Sequence, residues 1–267
     1  MKQNKYFSPT RFAYLLRNDL LINQKSYLFT IVGMSIAVYA LSYFEMITTK
    51  HFSNSHYSGL FFFYFMGIGV FIGSSFPALT DQIKTSNYLL TPGSILEKFM
   101  VQFLIRIVIF IPLALTIFWI ATHLAKASMI PNPAIGFDPA AQIQDFHFWN
   151  LFNDHINNMD RLIYILSYFS IASILFAGSA YFRRFALVKT LIINGFMVGA
   201  VILWFIFLSH IFYQADTFSN NGIHIRLLEY KISANLDNKQ LAGYLLGGLS
   251  WLFFLPLAYF KLKEKEV

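Results

Sequence analysis

The chain has 267 residues, 57% of them hydrophobic and 12% charged, with 31 Phe, 15 Tyr and no Cys; its mean hydropathy is +0.54. Soluble domains are roughly 45–50% apolar and about 25% charged, which excludes a single soluble enzyme, a disordered chain and a disulfide scaffold. The absence of Cys further excludes thiolate catalysis and Cys-ligated metal centres. What remains is a polytopic membrane protein, whose net charge of +7 acts first against a bilayer and only then against any other partner.

The first element expected is an amphipathic helix over 8–22. Ser8 suits a helix N-cap and Pro9 the first helical position. Phe12, Leu15, Leu16 and Leu20 share one face, with Arg11, Arg17 and Asn18 elsewhere. Such a helix lies in the headgroup plane, or docks a cytoplasmic partner on its polar face.

Spanning a hydrocarbon layer of about 30 Å takes about 20 apolar residues in a helix, because backbone polar groups find no partner in lipid. Six stretches meet this: 27–44, 58–76, 99–123, 162–182, 186–209 and 241–260. The expected fold is therefore all-α, a single six-span transmembrane domain over 1–267. No uncharged apolar stretch precedes the first span, so no cleavable signal peptide is expected.

The loop at 78–98 holds the most local information. Pro77 stops the second span, and Thr80 or Asp81 caps a short helix with Ile83, Leu89 and Leu90 as apolar contacts. Pro92-Gly93 forces a turn, and Ser94 with Glu97 forms a capping box that starts the third helix at Ser94. Arg106 lies about two turns inside the third span, where a charge is costly. It either snorkels to the headgroups or takes part in a transport path or an interhelical pair. Gln102 and Asn194 are its candidate hydrogen-bonding companions within the bundle. Glycines four apart, Gly69–Gly73, Gly195–Gly199 and Gly243–Gly247, mark helix-packing faces.

Two long loops lie on the opposite side, 124–160 and 210–240. The first carries an aromatic stretch from Asp145 to Ile156 read as a surface helix. Its Asp145, His147, Asp154 and His155 have no spacing diagnostic of a metal site. The second is expected to hold a short helix around 223–232. All seven His fall at or beyond the ends of the spans on this side, as a chance distribution among polar loops would place them.

Charge sets the orientation. The two tails, the 77–98 loop, the 183–189 turn and Arg106 hold 14 of the 20 basic and 5 of the 13 acidic residues, or +9; the remainder carries −2. Positive segments stay in the cytoplasm, so both termini are expected there, in a bacterial inner membrane. The basic balance reads as topology and lipid contact, and nucleic acid is not an expected partner.

No nucleotide-binding G-x-x-x-x-G-K-[ST] occurs, nor H-E-x-x-H or G-x-S-x-G. No pair of acids falls inside a span. No catalytic, cofactor-binding or metal-binding residue is assigned, and no enzymatic activity or cofactor is expected.

Six spans, cytoplasmic termini, the leading interfacial helix and the capped loop together resemble the permease subunit of a type-2 ABC exporter. The stretch Asn87-Tyr-Leu-Leu-Thr-Pro-Gly-Ser-Ile-Leu-Glu-Lys-Phe99 is similar to a segment of such permeases in Bacteroidota-type bacteria. Pro92, Ser94, Glu97, Lys98 and Phe99 match that segment, while Thr91 departs from it and Gly93 replaces the usual Ala. The resemblance implies a separate P-loop ATPase subunit and a second permease subunit, identical or different. It implies that ATP binding closes the ATPase dimer, pulls on the loop and rocks the bundles. Lys84 and Tyr88 would face the ATPase, and Glu97-Lys98 would tie the loop to the third span. A non-transporting membrane scaffold or assembly factor of an envelope complex is the alternative, favoured by the long aromatic loops.

Overall fold

In a computed structural model of the chain, residues 7–49, 52–80, 85–86, 88, 90–129, 143–148, 158–182, 185–213, 218–219, 222–223 and 243–265 are described. They are helical apart from short connections and one antiparallel pair of two-residue strands, β1 (Phe218–Ser219) and β2 (Gly222–Ile223). Five of the helices are long and apolar enough to cross a membrane. The sixth expected span corresponds to a π segment, Gly243–Gly248, followed by an α-helix, Ser250–Glu264. Ile223 lies in β2 and does not begin the expected helix; residues 224–232 lie outside the described residues.

The first helix, α1, is unbroken over Pro9–Thr48, 40 residues. The expected in-plane helix over 8–22 and the first span are one element. No Gly or Pro interrupts Ile22-Asn23-Gln24-Lys25-Ser26. Asp19 bridges this stretch, accepting from Asn23 Nδ2 at 3.1 Å and from the Tyr27 hydroxyl at 2.6 Å. Those i, i+4 and i+8 contacts hold the turns that would have to open for a bend.

Helix α2 (Asn54–Gly73) ends before Ser74, and a 3₁₀ turn follows at Pro77–Thr80. Helix α3 (Ile95–Phe103) runs into a π segment, Leu104–Ile109, and then into α4 (Phe110–Ala127). Residues 143–148 form no helix, with Phe148 alone in a 3₁₀ state, so the start of the expected aromatic helix is irregular chain. Helices α5 (Asn158–Tyr181), α6 (Ala186–Tyr213) and α7 (Ser250–Glu264) complete the chain.

Contacts group the chain into two units. Unit 1 comprises Met1–Ser75 and Ser86–Ile156; unit 2 comprises Phe76–Thr85 and Asn157–Val267. In unit 1, Ser8 meets Glu97, Asp19 meets Gln102 and Tyr39 meets Ser128. The order rises on both sides, so α1 is parallel to the α3–π–α4 rod. Against the same rod α2 is antiparallel: Phe71 lies at Phe110, and Tyr64 donates to the Ala114 carbonyl at 2.8 Å. Three successive membrane-crossing helices must alternate in just this way.

Unit 2 repeats the sense. Helix α5 meets the last helix in parallel, with Ser170 donating to the Gly247 carbonyl and Lys265 Nζ donating to the Ala180 carbonyl. Helix α6 turns back along α5 after Phe185, whose φ of 52° marks the reversal. At Gly178 the Thr190 side chain fills the place a Cβ would take. The apolar window of α6 buries none of its side chains, as a helix facing hydrocarbon can.

Candidate functional site

One carboxylate holds two helix ends together. Ser94 caps α3, and its hydroxyl accepts from the Glu97 amide at 3.2 Å while its own amide donates to Glu97 Oε2 at 2.8 Å. This is the capping box read from the sequence. Glu97 Oε1 is then left over, and it accepts from the amide of Ser8, the N-cap of α1, at 2.6 Å. Arg11 Nη2 completes the set at 3.1 Å. Glu97 is 0% exposed, so its charge is neutralised by Arg11 and by orphan amides at two positive helix N-termini. The Ser8 hydroxyl makes no cap of its own; the acid of the other helix takes that place.

Glycine 93 permits this approach. A Cβ there would come within 2.6 Å of Leu15 Cδ1, so the turn before α3 lies directly against α1.

Further along the same seam, Gln102 Nε2 donates to Asp19 Oδ1 at 2.9 Å. Arg106 follows one turn later, inside the π segment. It is 4% exposed, and its guanidinium lies 4.1 Å from the Phe71 ring centroid and 5.2 Å from that of Tyr27. Nη1 donates to the Phe71 carbonyl at 3.0 Å. That carbonyl belongs to the last turn of α2, where the helix dipole favours a cation. Within this π turn, the Arg106 side chain lies against α2. Among the described residues, Gln102 Oε1 and Arg106 Nε are buried without a hydrogen-bond partner.

The loop residues divide differently from expectation. Lys84 lies outside the described residues. The Tyr88 hydroxyl is buried without a hydrogen-bond partner, and burial pushes its pKa above the usual phenol range. Its ring lies 5.6 Å from Lys98 Nζ, and Lys98 is itself 2% exposed. Tyr88 and Lys98 therefore face inward. What projects is Leu90, 81% exposed, with Pro92 exposed beside it.

The remaining predicted positions are dispersed. Asn194 is half-exposed on α6 in unit 2. Gly69 and Gly73 are buried on α2. Gly247 packs against Ser167, and Gly243 opens the π segment. Gly195 and Gly199 have nothing within 4 Å of a Cβ position. Reading the sequence missed Gly178, Asp19 and Tyr27, and it expected Leu90 as an apolar contact, whereas the side chain is exposed. The Asp19–Asn23–Tyr27 spacing was the available signal for two of them, but it runs across the boundary between the expected in-plane helix and the first span.

At the far end of unit 1, Lys126 Nζ pairs with Asp145 at 2.7 Å. Among the described residues no three His, Cys, Asp or Glu side chains converge as a metal site would need. Comparison of the chain with known protein families, with characterised proteins and with solved structures gives no match.

Proposed function

We propose that the chain is the membrane-spanning permease subunit of an ATP-driven exporter in a bacterial inner membrane. It works with a second permease subunit and a separate P-loop ATPase, has no catalytic residues of its own, and keeps both termini in the cytoplasm. The observation that carries this reading is an exposed Leu90 on a loop whose base is fixed to α1 by Glu97. An apolar side chain at a loop tip fits a hydrophobic groove on a partner. A push on it would pass through Ser94 and Glu97 into both α1 and α3. The parallel and antiparallel senses of the helices support alternating spans, and the charge division supports the orientation.

The test is purification in mild detergent with the copurifying ATPase activity measured. Under this reading a P-loop ATPase accompanies the chain, its activity responds to the permease, and Leu90→Asp removes it. Stable, nucleotide-independent binding to envelope proteins with no ATPase would favour the scaffold instead.

A further inference from the structure

Residues 143–148 lie across the end of unit 1 remote from Ser8 and Glu97, held by specific contacts. Ile143 pairs with Phe52 as a parallel bridge, and the Gln144 amide donates to the Phe52 carbonyl at 3.2 Å. The Tyr57 hydroxyl donates to the Gln144 carbonyl at 2.9 Å. Lys126 Nζ, at the last turn of α4, donates to the Ile143 carbonyl at 2.8 Å as well as to Asp145. Phe146, 2% exposed, enters between the helices, with ring centroids 5.1 Å from Tyr57 and 5.2 Å from Phe118. Its neighbours Gln144, Asp145 and His147 are exposed.

A segment with no regular structure thus inserts one aromatic side chain between α2 and α4. It is held by one bridge, by hydrogen bonds and by one partly exposed lysine. Irregular backbone at such a site persists only when side chains satisfy it, and here Tyr57 and Lys126 do so. A short segment held mainly by polar contacts to a few side chains can open locally as one unit.

We infer that residues 143–148 form a strap that closes the outer end of unit 1, with Phe146 as the plug and Lys126 as the latch, and that its release opens this end to the outer side. The word "outer", and the strap's use as an exit gate, rest on the exporter reading; closure itself does not.

The chain has no Cys, so an introduced thiol is the only one. Phe146→Cys is treated from outside intact cells with a membrane-impermeant maleimide, with exposed His147→Cys as reference. Phe146→Cys is expected to react slowly, and about tenfold faster when Lys126→Gln removes the latch, while His147→Cys reacts quickly in both backgrounds. Equal rates for Phe146→Cys and His147→Cys with Lys126 present would overturn closure. An unchanged rate in Lys126→Gln would overturn the latch. Labelling of His147→Cys only after the cells are opened would reverse the orientation, and the two Phe146→Cys rates, measured on opened membranes, would still decide the strap.

A second variant reads the gate. Bridge partners sit about 4.8 Å apart, within disulfide reach, so Phe52→Cys with Ile143→Cys is expected to cross-link under mild oxidant. The oxidised protein should lose nucleotide-driven export and regain it on reduction. Export at the parent rate while cross-linked would overturn the gate. A parent that exports nothing would refute the exporter reading, leaving the labelling rates to decide the strap.

Discussion

The carboxylate of Glu97 accepts the amide of Ser8 at 2.6 Å across 89 positions of sequence, so the cap of one helix is supplied by the first turn of another. Glu97→Gln keeps the shape but offers one acceptor to Ser8, Ser94 and Arg11, and turns an amide donor toward them. It should cost about 2–3 kcal/mol, read as a lower unfolding midpoint in detergent with faster exchange at the Ser8 and Ser94 amides. Arg11→Ala, at a partly exposed position, should cost about 1 kcal/mol or less.

Arg106→Lys tests whether the π segment serves a fork or only a charge. A lysine can place one ammonium near the Phe71 carbonyl but cannot lie flat between two rings. The substitution should destabilise by about 1–2 kcal/mol, and Arg106→Ala by about 2–4, since it also opens a cavity. Calorimetry of the purified protein checks the order.

The glycines separate by what faces them. Gly178→Ala places a methyl where Thr190 already sits, and should cost about 1–3 kcal/mol through overpacking. Gly195→Ala and Gly199→Ala meet open space and should leave the chain's own stability within about 0.5 kcal/mol. A larger loss at those two in the assembled complex would locate a subunit interface there.

Leu90→Asp should leave the fold unchanged within about 0.5 kcal/mol, because the side chain is exposed. Under the proposed exporter reading, the amount of copurifying P-loop ATPase should nevertheless fall by about tenfold or more, as expected for loss of an apolar anchor. Quantitative immunoblotting against the band of this chain reads the ATPase, and thermal unfolding of the same preparation in detergent reads the fold.

Asp145 gives the strap a pH limit. The Lys126 ammonium holds its carboxyl below the usual carboxylate range, with lesser help from His123 and His147. A carboxylate whose pKa is depressed by folding contributes above its unfolded value and loses that contribution as pH falls through the folded one. The midpoint difference between the parent and Asp145→Asn should therefore be flat above about pH 5 and shrink as the pH falls below about 4. At this exposed position the difference is small at every pH.

Composition and periodicity carried the helical class and the crossing segments, because hydrocarbon leaves so few solutions. The Ser94–Glu97 box was equally legible, being local. The second partner of Glu97 was not: nothing in a capping box says that its spare oxygen will reach another helix. Arg106 was visible as a costly charge, but it lies against α2 from within a π turn, and no residue pattern announces that turn. Asp19 was overlooked because its contacts run across the boundary between the expected in-plane helix and the first span, although the same residues staple the helix shut. Phe146 resembled one knob of an amphipathic helix until Lys126 and Phe52, distant in sequence, fixed its chain in another form.

Helix α1 has its own mechanical consequence. Forty residues at 1.5 Å each make a rod of about 60 Å, about twice the hydrocarbon thickness. With the Asp19 contacts bracing the stretch around Asn23, the rod has no joint there. A force that displaces one half of the rod must swing the other half as well, as a lever turns about its fulcrum.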